Sequence, residues 1–567
     1  MKQLKLLLDA ALPSPSEGQI PPIPSAGMNA ASGATVPGAA TRRLLGAFYS
    51  PQSAADFMAE WSLRYDGERI LEPSFGDGVF LRAIARSAAH KDFPATRLLG
   101  IEIDEQARSR AAHKELLTDG ELLHADFLDV EPSKVQAVIG NPPYVRLRRL
   151  PEEQRQRALR VACQVLGQSF DPAGSLWGPF LLHALRFLDI GGRLAFVLPY
   201  EFTYVRYGRP LWNHLRNCFG SIRVLRTHER LFPELLQDVI ILLADDFGAH
   251  TNVVRYQAFE RVEELLQDRP LVDERLVIED VIQGERAFLG ALLGDELRTL
   301  LDGRLAKITT PARKSVTFNI GYVTGDKSFF HPTKSVVSEY YLPAQSLLPS
   351  LITTRDMRSA GLRTSAMDRS RVGQLFLPDS PRLTEGEKRY IAMGEAQGVS
   401  SRYKCRVRHP WYIVPGVRTP DVMLSVFSER PILLINDAGY VASNSLLCGY
   451  LTKATSEELA VRWYTSLTLL QCELEVHALG GGVMIMVPHE AGNIRLPDHV
   501  RAQEDHLSRL DHLLRGGKIK DAYYLGDREI LMNQLGLHEH DVELIHHGIE
   551  VLTHWRTSAR SSRALRR

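Results

Sequence analysis

The chain has 567 residues, 44% of them hydrophobic and 24% charged, too many for one ordinary domain and typical of a soluble globular protein with sizeable cores. No apolar run approaches the roughly 20 residues that cross a bilayer, MKQLKLLLDAALPSPSEG lacks the cleavage site of a signal peptide, and five scattered cysteines (Cys163, Cys218, Cys405, Cys448, Cys472) form no CxxC pair, so a membrane partner, structural zinc and a disulfide framework are set aside and a reducing cytoplasm is expected. The net charge of +1 identifies no partner as a sum, but its distribution is uneven.

In chain order, residues 1–40, rich in Pro, Ser, Gly and Ala from Leu12 on, predict a disordered leader. ERILEPS then predicts a strand and VFLRAIARSAAH an amphipathic helix. RLLGIEID predicts a second strand, EQARSRAAHKELL a helix, and ELLHADF and VQAVIGN two more short strands. SLWGPFLLHALRFLDI carries apolar residues at helical spacing and is expected to stop at Gly191-Gly192, before the strands RLAFVLPY, IRVLRTHE and DVIILLAD. This alternation predicts a mostly parallel sheet with helices on both faces over residues 41–247. Residues 248–305, with ERAFLGALLGDELRTLLDGRL, predict a helical connector, and 306–567 a second, mixed α/β domain with a helical C-terminus in which DHLSRLDHLLRGG is the clearest helix.

In a parallel α/β sheet ligands bind beyond the carboxyl ends of the strands, so the residues where each strand stops are the informative ones. The first ends in LEPSFGDG: Glu72, then a turn of small residues that lets a ligand approach the backbone. It is neither GxGxxG nor GxxxxGK[ST], so a phosphate cradle is not expected. The second ends in GIEID, with Glu102 placed to accept from two ribose hydroxyls. The third ends in HADF, with Asp126 and Phe127 placed to hold a purine by hydrogen bond and stacking, and the fourth in NPPY. A Glu closing one strand is more often a cap; four such ends in order carry weight together.

LEPSFGDG, GIEID, HADF and GNPPY, preceded by GAFYSP, resemble the ordered motifs of the gamma-class, TaqI-like N6-adenine DNA methyltransferases, from about Gly46 to Asp245. The resemblance implies a Rossmann-like methyltransferase sheet that binds S-adenosylmethionine, followed by a DNA-recognition domain. It implies Ser50 and Pro51 near the methionine end of the cofactor. Glu72, Pro73, Ser74, Phe75, Gly76, Asp77 and Gly78 would line the turn, Glu102 would take the ribose hydroxyls, Asp126 with Phe127 the adenine, and Ile103 and Asn141 would be further cofactor contacts. The SFGDG turn departs in detail from other members at Phe75 and Asp77. An adenine amine is a poor nucleophile because its lone pair is delocalised. Two acceptors on its hydrogens, the Asn141 side chain and the Pro142 carbonyl, push it toward pyramidal geometry, with Pro142 and Pro143 fixing the backbone and Tyr144 stacking on the base. The base must first leave the duplex stack. ERLFPELLQDVII resembles a later family motif that makes Phe232 a second stacking ring; its residues alone read as core.

Two segments look ready for a polyanion: SRYKCRVRHPWYIVPGVR (401–418) and RTSARSSRALRR (556–567) each hold five basic residues and no acid. Lys404, Arg406 and Arg408 are candidate DNA contacts, as are Arg146, Arg148 and Arg149 beside NPPY; solvated charge is the competing reading. PDSPRLTEGEK only superficially resembles a PD…ExK nuclease site and reads as a loop. The HEHD cluster with His546 and His547 has metal-ligand chemistry, but no metal is expected for this reaction. The expected function is methylation of adenine N6 in a specific site of double-stranded DNA, as the protective half of a type II restriction system with a cognate endonuclease sharing the site, by a chain whose single asymmetric site fits a monomer. Protein-glutamine methylation, RNA adenine methylation and a non-catalytic DNA-binding subunit are the alternatives. The recognised bases are not legible.

Overall fold

Ile70 and Leu71 are wholly buried in the strand β1 (Arg69–Glu72), and the strands around it are just as apolar on both faces. In a computed structural model of the chain, the described residues are 51–112, 121–232, 238–283, 286–379, 382–479 and 482–557. They form two compact units, divided between Leu292 and Leu293. The expected leader 1–40 and most of the basic tail lie outside the described residues.

The first unit is built on one nine-stranded sheet. After α1 (Gln52–Ser62) and β1 come α2 (Val79–Lys91), β2 (Arg97–Glu102), α3 (Glu105–Ala112), β3 (Glu121–His124), β4 (Val135–Gly140), α4 (Glu152–Leu166), α5 (Trp177–Leu185), β5 (Leu188–Pro199), α6 (Arg209–Arg216), β6 (Phe219–Thr227) and β7 (Val239–Phe247), then β8 (Val253–Phe259) and β9 (Val272–Val277). The order is β3-β2-β1-β4-β5-β7-β6-β8-β9. Strands β1 to β5 pair in parallel, and β7 runs antiparallel between β5 and β6. One face packs Ile70, Ala137, Ile139, Ala195, Val197, Ile241 and Leu243 against the buried sides of α1 and α2. The alternate residues Leu71, Val138, Leu194, Phe196, Leu198 and Leu242 are equally buried on the other face. Double burial is why these strands read as unbroken apolar runs. The expected α/β sheet with helices on both faces is therefore what forms.

Two elements differ from the sequence reading. The helix expected to run to Gly191-Gly192 ends at Leu185, and Asp189 to Gly192 lie inside β5, where the β4 register shifts between Val135 and Ala137. A sheet irregularity, not a helix stop, uses these glycines. The segment after Phe247, expected to be a helical connector, instead adds β8 and β9 to the sheet. VDERLV alternates half-buried and exposed residues, an outer-strand signature that its charge content disguised.

The second unit, from Leu293, has smaller sheets among short helices. Val316–Ile320, Leu446–Leu451, Val422–Ser425 and Leu433–Ile435 form its four-stranded sheet. The predicted C-terminal helix forms at Glu504–Arg515, and Glu539–Thr557 is the longest. The connector's end belongs here: Leu293 and Leu297 pack beneath Gly548, where a Cβ would collide with Leu297.

Candidate cofactor and target site

Because β1 to β4 are parallel, their carboxyl ends share one edge of the sheet. Glu72 closes β1 at 1% exposure, and its Oε2 is buried with no hydrogen-bond partner. Burial first, then the charges of Asp77 and Glu102, hold its carboxyl well above the usual carboxylate range. The turn beyond it needs glycine twice, since Gly76 and Gly78 have φ of 53° and 77°, and Gly78 opens α2. Ser74 and Asp77 are half-buried on this turn, and the Asp77 carbonyl accepts from Arg82 at 2.6 Å.

Glu102 closes β2 at 9% exposure and is tied to the same turn. Its oxygens accept from the Gly76 N–H at 2.8 Å and the Asp104 N–H at 2.9 Å, while burial raises its pKa. Ile103 beside it is 52% exposed, a large apolar side chain left in solvent at a strand end. Asp126 follows β3 and caps the short turn Phe127–Asp129, accepting from the Leu128 N–H at 3.1 Å. Arg157 of α4, which sequence reasoning missed, holds Asp126 and Asp129, each at 2.7 Å. Its local partner Glu153, four residues earlier, does not reveal the tie to Asp126, 31 residues earlier.

The loop after β4 meets the loop after β1. Ser74 Oγ donates to the Asn141 carbonyl at 3.3 Å, and a Cβ on Gly140 would lie 3.3 Å from Pro73. Asn141 and Pro143 are half-buried and Pro142 buried. Tyr144 donates its hydroxyl to the Val197 carbonyl of β5 at 3.0 Å, and burial pushes its phenol well above its ordinary value. Its ring remains half-buried against the core.

Several expected roles change on contact with the structure. The Phe75 ring is 2% exposed and belongs to the core, so only the backbone of that residue faces the turn. The Phe127 ring, expected to stack on a purine, packs instead on Phe180, His183 and Phe187 at 4.7–5.4 Å, and only its main chain stays at the strand end. Phe232, expected by resemblance as a stacking ring, is 6% exposed among core residues, where its composition alone put it. Arg146, expected to hold the DNA backbone, is engaged within the chain instead. It pairs with Glu201 at 2.6 Å and donates to the Tyr207 hydroxyl at 3.1 Å, while Tyr207 donates to Glu201 at 2.7 Å. Arg148 and Arg149 are exposed. Pro51 caps α1, and Ser50 lies outside the described residues.

Arg226 was also missed. It follows the buried Ile222 and Val224 in β6 at the same two-residue phase, and an inward arginine in an apolar strand is a readable signal. It stacks over Tyr200 at 4.1 Å and lines a pocket at the ends of β6 and β7 with His228, Arg230, Phe232 and Asp238.

In the second unit Arg408 donates to the carbonyls of Thr324, at 2.7 Å, and Val323, a structural role rather than the expected DNA contact. Lys404 is half-buried and Arg406 exposed. Glu387 of the PD…ExK look-alike closes a capping box with Thr384, which is helix-start chemistry. The terminal histidine cluster disperses: His540 meets Glu296, Asp541 meets Arg304, and His546 meets Asp527. Among the described residues no helix is long and apolar enough to cross a membrane.

Known proteins give matching landmarks. Residues 87–226 match the family model described as Eco57I restriction-modification methylase, and 285–531 match that of the type II methyltransferase M.Eco57I C-terminal domain. The type II methyltransferase M.AccI of Acinetobacter calcoaceticus is 24% identical over 439 residues, 74% of this chain and 78% of that one. M.TthHB8I of Thermus thermophilus is 32% identical over 172 residues, 29% of this chain and 37% of its own length. Among solved structures, the type IIL restriction-modification enzyme MmeI in complex with DNA shares the fold, with a TM-score of 0.51 and 12% identity over 88% of this chain and 75% of that one.

Proposed function

We propose that this chain, which belongs with the type II restriction–modification methyltransferases, methylates the N6 amine of an adenine extruded from a specific site in double-stranded DNA. The observation that carries this reading is the contact between the β1 and β4 loops, which puts Asn141 beside the glycine turn and its carboxylates.

The residues at this edge fit S-adenosylmethionine. The group carries sulfonium and ammonium charges, and the turn gathers Glu72, Asp77 and Glu102, with one buried Glu72 oxygen lacking any hydrogen-bond partner. Bound there, it supplies an electrophilic methyl carbon. Glu72 and the Ser74–Gly78 backbone hold its charged end with Pro51 nearby, Glu102 takes the ribose hydroxyls, and Ile103 and the Phe127 main chain flank the adenine. Asp126, steadied by Arg157, accepts from the adenine amine.

The target base is handled by the loop after β4. The Asn141 side-chain oxygen and the Pro142 carbonyl each accept one hydrogen of the target amine, so the nitrogen lone pair is directed along the transfer line. Most of the rate gain is then positional. Extruding the base costs a few kcal/mol, and stacking on Tyr144 offsets about 1–3 kcal/mol. With Phe232 in the core, the platform is a single ring in this conformation. Arg148 and Arg149 face solvent where flanking phosphates would lie. The biological role we infer is protection of DNA from a cognate endonuclease of the same specificity, by a monomer.

The test is incubation with methyl-labelled cofactor and mixed DNA, followed by nucleoside analysis. Label in N6-methyladenine is the expected result; label only in protein or RNA refutes the reading.

A further inference from the structure

The cations of the basic segment 401–418 separate by what they engage: some are tied to partners elsewhere in the second unit, others stand beside an exposed ring of the segment itself. Arg402 pairs with Asp326, which is 5% exposed. Arg408 is committed to main-chain carbonyls, and Arg418 lies 4.7 Å over the Tyr450 ring. Lys404 and Arg406 remain on the single turn Tyr403–Arg406, each with its charged group 5.5 Å from the ring centroid of Tyr403. That ring is 64% exposed, and Val407 after it is 59% exposed.

The turn's shape is fixed from beneath. Cys405 is fully buried with Sγ 3.7 Å from the Thr324 carbonyl. Gly325 has φ of 95°, and a Cβ there would come within 2.8 Å of Lys404 and 3.0 Å of the Cys405 sulfur. Two cations flanking an exposed aromatic on a braced turn is the pattern that binds nucleic acid, where cations take phosphates and a ring packs on the nucleotide between them.

We propose that the Tyr403–Arg406 turn is a DNA-contacting element of the second unit. Lys404 and Arg406 hold two backbone phosphates and Tyr403 packs on the nucleotide between them, whereas Arg402 and Arg408 maintain the turn. The proposal rests on the reading of the chain as a DNA methyltransferase and names the part of its second unit that meets the substrate.

The experiment is the salt dependence of binding of the full chain to a fluorescent mixed-sequence duplex, with methyl transfer measured in parallel. Each of Lys404→Gln and Arg406→Gln lowers the slope of log affinity against log salt by about one unit. Tyr403→Ala weakens binding roughly tenfold at every salt concentration and leaves the slope unchanged, while Tyr403→Phe restores it. Thermal melts of these surface variants match the parent. Wild-type slope and affinity in all of them, or no duplex binding by the parent, overturns the proposal. If the parent labels DNA and the variants bind like it, this proposal alone fails. If the variants change as stated but label enters only protein or RNA, the methylation reading fails and the DNA contact stands.

Discussion

Glu72 and Glu102 lie buried at a sheet edge within reach of each other's charge, whereas Arg402, Arg408 and Arg418 of the second unit each have an internal partner. Both regions carry several charges, but only the first buries a carboxyl, that of Glu72, with one oxygen left without a hydrogen-bond partner. Burying a charged group without full compensation costs stability, so a fold that does so is holding the group for something else. The second unit's arginines bring their compensation with them, and the functional share there falls to the side chains left over. Charge density alone therefore does not locate a site; incomplete compensation does.

The largest effect expected at the first region is on catalysis. Asn141→Ala lowers single-turnover methyl transfer by about a hundredfold or more, because a lost polar group at a reacting centre costs on that order, while cofactor binding by calorimetry stays near the parent's. Undiminished transfer would end the assignment. In the second region Arg408→Met is expected to cost about 1.5–3 kcal/mol of stability through two lost charge-assisted hydrogen bonds, read by thermal unfolding, with no change in the salt slope of DNA binding. A changed slope with normal stability would move Arg408 to the functional side of the comparison.

Glu72 sharpens the contrast through pH. Its folded-state pKa is raised, so between the ordinary carboxylate range and that raised value the folded state holds more protons than the unfolded chain, and stability falls as pH rises across this window. Glu72→Gln should flatten that fall and stabilise the free protein at neutral pH by on the order of 1 kcal/mol, at the expense of cofactor affinity. An unaltered pH profile would show that the carboxyl is compensated after all. The smallest effect belongs to Arg148→Gln, which should leave stability alone and reduce the salt slope of DNA binding by about one unit; no change would make Arg148 ordinary surface.

How much of this was legible in the sequence follows from distance along the chain. The strand ends were readable because each is set by a handful of consecutive residues: the Gly76 and Gly78 turn, Glu102 closing RLLGIE, and Asn141 to Tyr144 after VQAVIG. What could not be read were side chains whose fate depends on remote partners. Arg146 is claimed by Glu201 and Tyr207, 55 and 61 residues later, and Arg408 by Thr324, 84 residues earlier. Phe127 looked like a ligand contact until Phe180 and Phe187 enclosed it. The edge strand β9 was hidden by Asp273 and Arg275 on its exposed positions, which a one-dimensional pattern reads as helix surface.

One strand carries more than its own place in the sheet. The loop after β4 is fastened to the end of β5 twice, through Tyr144 to the Val197 carbonyl and through Arg146 to Glu201. The spacing between those anchors is thus a gauge against which the loop is cut. A chain given a foreign β5 tail would therefore have to inherit the loop at residues 141–146 along with it.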